Sequence, residues 1–93
     1  MFHFYLVMIN VNPGLTILDV QNALTNEIQW YRIANNVWVV HTVQPSTWLF
    51  ARLSSLANPS GTLLITVLDP RDRQGWMPKA FWDWLTQRMT FGI

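Results

Sequence analysis

One antiparallel sheet roofed by two helices, an α+β sandwich, is what three features of the sequence predict. Four runs rich in β-branched and aromatic residues (4–11, 30–33, 37–43 and 62–68) read as strands. Two segments with apolar residues at helical spacing lie between the first and second runs and between the third and fourth. Turn-forming residues mark the boundaries: Asn12-Pro13-Gly14, Asn35-Asn36, Gln44-Pro45-Ser46 and Asn58-Pro59-Ser60-Gly61. The resulting order is β-α-β-β-α-β, with a further helix over residues 78–89. That is the split β-α-β, or ferredoxin-like, sandwich, and 93 residues suffice for a single such domain spanning 1–93.

Each element has its own warrant. Residues 4–11 are almost continuously apolar, the pattern of a strand buried on both faces and therefore central. Thr16 opens the first helix, with Asp19 three residues on as a capping box. Its buried stripe is Ile17, Val20, Leu24 and Ile28, which carries the helix to about Ile28. Ala34-Asn35-Asn36 predicts a hairpin, because asparagine tolerates left-handed backbone angles. In its second arm Val37, Val39 and His41 face one way, and Trp38, Val40 and Thr42 the other. Pro45 stands at the start of the second helix, whose stripe is Leu49, Leu53 and Leu56, aided by Trp48 or Phe50. The fourth strand is as apolar as the first, which places it in or near the sheet centre. In the last helix Phe81, Trp84, Leu85 and Arg88 share a face, with Trp82 off it.

Two helices cover only one face of a four-stranded sheet. The other face must meet the last helix, a second subunit or solvent. Composition favours a subunit, since 51% of residues are apolar and only 12% charged, so a homodimer or higher homo-oligomer is expected.

The formal charge of +1 argues against long tracking along nucleic acid, which takes a clear basic excess. The absence of cysteine excludes disulfides, thiolate nucleophiles and zinc–sulfur sites. The apolar N-terminus lacks a basic flank and is broken by Asn10, Asn12 and Pro13, so neither a signal peptide nor a membrane span is predicted. A cytoplasmic protein is the expectation.

Chemistry concentrates in one loop. Five of the eleven charged residues fall from Asp69 to Lys79, and Trp76, Trp82 and Trp84 lie in or just after that stretch. Arg71 and Arg73 offer planar forks for phosphate oxygens, and Lys79 a further cation. Trp76 offers a face on which a base could stack, and Gly75 lets a ligand approach the backbone. The competing reading is an ordinary charged loop, in which Arg71 and Arg73 pair with Asp69 and Asp72 while Trp76 packs down before Pro78. His3 and His41 lack any metal-ligand spacing, and no serine sits in a nucleophile elbow. Asp69, Asp72 and Asp83 match no calcium loop. No catalytic residue, metal or cofactor is assigned.

The segments LVMINVNPG, NVWVVHT, TLLITVL and GWMPKAFWDWL, in that order, resemble the landmarks of the SinR-family small proteins. These share the fold of the small endonuclease-like subunit of CRISPR adaptation complexes. The resemblance implies a ferredoxin-like protomer and a homodimer. In the catalytic branch it implies an aspartate ending the first strand of each protomer, the pair sharing a divalent metal. The matching position here is Asn10, whose neutral amide is a poor ligand for magnesium.

Three functions follow as expectations. The leading one is a non-catalytic homo-oligomeric binder of a nucleotide or short nucleic acid, through Arg71, Arg73, Trp76, Asn10 and Lys79. Such a protein could act in phage counter-defence by sequestering a nucleotide immune signal. The second is a metal-dependent ribonuclease or phosphodiesterase, as the resemblance implies. The third is a protein–protein interaction module anchored by exposed tryptophans.

Overall fold

The computed structural model describes residues 1–24 and 28–92. In chain order the elements are β1 (His3–Asn10), α1 (Ile17–Ala23), β2 (Gln29–Ala34), β3 (Val37–Thr42), α2 (Ser46–Ala57), β4 (Thr62–Val67) and α3 (Lys79–Gly92). The strands form one antiparallel sheet of order β2-β3-β1-β4, the ferredoxin-like order with α3 added. Among the described residues no helix is long and apolar enough to cross a membrane.

Alternation along the strands builds two cores. Tyr5, Val7, Ile9, Trp38 and Val40 point toward α1 and α2, where they meet Val20, Leu24, Leu49 and Leu53. Phe4 and Val39 point the other way, onto Phe81 and Leu85 of α3, with Tyr31 and Ile33 at the margin. The second arm of the hairpin therefore faces as its alternation predicts.

Local chemistry explains most boundaries. Thr16 caps α1 through the predicted box: its hydroxyl accepts from Leu18 N at 3.3 Å, and Asp19 Oδ2 accepts from Thr16 N at 2.8 Å. Asn12 acts as a clamp between two turns. Its Oδ1 accepts from Ser60 N and Gly61 N, at 2.9 and 3.2 Å. Its Nδ2 donates to Ser55 O and Asn58 O, at 3.2 and 2.9 Å.

Three expectations need correction. The first helix stops at Ala23, and Ile28 is a buried residue leading into β2 rather than part of the helical stripe; residues 25–27 lie outside the described set. Neither hairpin asparagine has a positive φ. The turn is instead closed by the Arg32 side chain, which donates to Ala34 O, Asn35 O and Asn35 Oδ1 at 3.0–3.1 Å. The fourth strand is an edge strand; β1 and β3 are the central pair. Of the two aromatic residues expected to assist the α2 stripe, Trp48 does so and Phe50 faces solvent.

Because α3 lies against β2, β3 and the first half of β1, it covers only part of the second sheet face. Met8 and Leu64, paired across β1 and β4, stay exposed there.

Candidate functional site

Antiparallel pairing gathers the start of β1, the start of β2 and the ends of β3 and β4 at one end of the sheet. Two clefts open there and share Phe2 as a wall. The larger, about 470 Å³, runs from Met1–Phe4 to Val67–Arg71. The smaller, about 350 Å³, is lined by Phe2, Gln29, His41, Gln87 and Arg88.

The residues singled out in the sequence do not all converge on this end. Arg71 lines the larger cleft, with its Nε 3.3 Å from Asp69 Oδ1 in an exposed pair. The Arg71 backbone N–H also donates to that oxygen, and these bonds hold the Asp69 carboxyl below the usual aspartate range. Arg73 does not pair with Asp72. Its Nη1 donates to Pro70 O at 2.8 Å and lies 3.0 Å from Met89 Sδ, and its guanidinium sits 5.3 Å over the Trp82 ring. Lys79 pairs with Asp83 one helical turn on, at 2.8 Å, which raises its pKa. Asn10 stands at the opposite end of β1, about 20 Å of strand away. Its amide donates to Thr62 Oγ1 at 2.9 Å and accepts from Asn36 Nδ2 at 3.3 Å. Trp76 does not pack down before Pro78. It is 99% exposed, next to Gly75 at φ +155°, a backbone angle that favours glycine.

The smaller cleft holds groups that the sequence reading left without a role. His41 is only 3% exposed and lies between two phenylalanines, its ring 4.5 Å from those of Phe2 and Phe4. Its Nδ1 lies 3.3 Å from Gln29 Oε1, while Nε2 has no partner. Arg88 stacks 4.3 Å over Trp84 and donates from Nη1 to the Trp84 carbonyl at 3.0 Å; its buried Nε has no partner. Burial, and then the charge of Arg88, pushes the His41 pKa below 6.5; burial also lowers that of Arg88. Among the described residues Arg88 has no carboxylate partner. Buried polar groups are nearly always satisfied, and these two nitrogens, with Trp38 Nε1 in the other core, are the buried side-chain exceptions among the described residues.

Some signal for this cleft was present in the sequence. Strand alternation put His41 on the face later taken by α3, and helical spacing put Arg88 on the stripe with Phe81 and Leu85. Their meeting depends on how α3 docks, which no local pattern encodes.

Among the described residues no three His, Asp or Glu side chains are grouped so as to hold a metal ion. No family model, curated protein or solved structure matches this chain.

Proposed function

We propose that the protein is a non-catalytic, homo-oligomeric binder of a nucleotide or short nucleic acid. The observation that carries this reading is the larger cleft. Its apolar and aromatic lining, Phe2, Phe4, Val67 and Leu68, suits a base, and Arg71 offers a forked cation for a phosphate. Asp69 fixes Arg71 in place by an exposed pair that costs little to exchange for a phosphate contact. Trp76 adds a second aromatic face in solvent. The bare Met8–Leu64 strip supports self-association, through which two protomers could present paired clefts. The resemblance to SinR-family proteins belongs to the same proposal, as does a role in sequestering a nucleotide immune signal in the cytoplasm. Asn10 engages Thr62 and Asn36 with both halves of its amide, which favours binding over the metal-dependent nuclease reading.

Thermal-shift screening against mononucleotides, cyclic dinucleotides and short oligonucleotides tests the proposal. A ligand at a hundred times its Kd should add about 2.7 kcal/mol of stability. That gain should shrink in Arg71→Gln. A flat response to every nucleotide, or a shift untouched by Arg71→Gln, overturns the assignment. New products in the presence of magnesium or manganese would overturn the non-catalytic part.

The full exposure of Trp76 also favours a second reading, a protein partner anchored on that indole. Capture of a protein by the wild type and not by Trp76→Ala would support it.

A further inference from the structure

We propose that β4 is a docking edge for a second copy of this chain, the two β4 strands pairing antiparallel about a twofold axis at Ile65. This rests on the homo-oligomeric part of the proposed function and names the surface and the register that part requires.

The backbone sets the shape of the partner. Leu68 N–H donates to Phe4 O, so along β4 the even-numbered residues bond to β1. The N–H and C=O groups of Leu63, Ile65 and Val67 then point outward, where no further strand lies among the described residues. The sequence does not protect this edge. Residues 62–67 contain no charge, proline or glycine, and their register with β1 is unbroken. Three outward-facing residues at alternate positions match a copy of themselves. With Ile65 opposite the partner's Ile65, Leu63 meets the partner's Val67 and Val67 meets the partner's Leu63. Every outward group on both strands then finds a donor or an acceptor.

Side chains fit the same register. Leu63 and Ile65 line shallow grooves along the seam between β4 and α2, with the exposed Phe50 as their outer wall. Val67 lies on the same side of the sheet by alternation and is 71% exposed. The pairing lays the partner's Val67 beside Leu63 and Phe50, a knob and a groove that each copy supplies to the other. On the opposite side Leu64 comes beside the partner's Thr66. Phe50, Leu64 and Val67, with their half-buried neighbours and the strand backbone, offer roughly 600 Å² per protomer, about 1,200 Å² for the pair, enough for a specific dimer. With no charge on either strand, the edge repels no copy of itself and offers no ion pair to a charged partner. The register also reaches the larger cleft. The partner's Thr62 falls opposite Leu68, on the wall of that cleft, so each copy bounds the other's site.

Amide hydrogen exchange, followed by NMR over a series of protein concentrations, tests the pairing. Protection of the Leu63, Ile65 and Val67 amides should grow about threefold for each tenfold rise in concentration, because the monomer fraction falls as its square root. The Leu64 and Thr66 amides, bonded to β1, should be protected at every concentration. Val67→Pro removes an outward N–H and an exposed side chain, so the chain should fold but sediment as a monomer with no such gain. Because the chain has no cysteine, oxidation of single-cysteine variants reads the register separately. Ile65→Cys should cross-link to itself, since residues opposed at a hydrogen-bonded pair stand about 5.5 Å apart. Leu63→Cys should cross-link only when mixed with Val67→Cys. The proposal is overturned if the chain stays monomeric, or if it dimerises while the three amides exchange freely, as in a face-to-face contact through the Met8–Leu64 strip. An Ile65→Cys chain that stays single under oxidation overturns it too. A flat nucleotide screen with the three amides protected removes the ligand from the proposed function and leaves the paired edge standing.

Discussion

The ring of Phe2 lies 4.5 Å from that of His41 and within 13° of parallel, so an N-terminal aromatic forms the lid of a buried imidazole. Phe2 is itself 44% exposed and adds little to the core. Truncating it with Phe2→Ala should therefore admit water to His41 at modest cost in stability. The titration midpoint of His41, followed by NMR, should rise toward 6.5, because burial is the main cause of its depression. An unchanged midpoint would mean that Phe4 and α3 alone keep the ring dry.

The same depression makes stability depend on pH. With a folded pKa below the unfolded value of 6.5, His41 takes up a proton more readily when the chain is unfolded. Its contribution is complete above about pH 6.5 and is lost as pH falls from there through the folded pKa. Urea midpoints should decline over that window in the wild type. The decline should flatten in His41→Asn, and a slope that persists there would assign it to another group.

At the far end of the sheet, a Cβ on Gly61 would overlap the carbonyl oxygen of Asn10, which is backbone held by the β1–β4 ladder. Gly61→Ala should cost about 1–3 kcal/mol or more, read as a lower urea midpoint at unchanged m-value. Gly61 has no positive φ, so the cost reflects space alone.

Asn12 should matter nearly as much, since its side chain makes four hydrogen bonds between the two turns. Asn12→Ala should destabilise by about 2–3 kcal/mol, allowing for partial access to water. Asn12→Asp keeps the acceptor for Ser60 and Gly61 but turns a carboxylate on two carbonyls. It should regain stability as pH falls through the carboxyl range, and chemical denaturation at several pH values measures this.

Leu64→Lys places a charge in the exposed Met8–Leu64 strip without disturbing either core. Sedimentation should show association in the wild type and its loss in the variant. A wild type that sediments as one chain at micromolar concentration would remove the oligomer from the proposed function.

The sequence revealed the fold more fully than the site, for physical reasons. Capping at Thr16–Asp19 and the alternation of β3 are local, so they could be read directly. The end of α1 misled because Ile28 continues a helical stripe by chance of spacing while serving as a buried residue before β2. The fourth strand misled because an apolar run looks the same whether its outer side meets a neighbour or solvent. Of the ligand residues named from sequence, Arg71 lines a cleft, whereas Arg73 folds back on Trp82 and Lys79 on Asp83. His41 and Arg88 are brought together only by the docking of α3, which residue types along the chain do not announce.

The strand order also bears on how the chain is made. Of the four strands of this sheet, the first to leave the ribosome is a middle one, and both of its neighbours, Val37–Thr42 and Thr62–Val67, are translated later. At roughly 5–20 residues per second, the apolar His3–Asn10 segment waits seconds for its partners, with unpaired backbone on both sides. Slow decoding between residues 11 and 61 should lengthen that wait and lower the soluble yield.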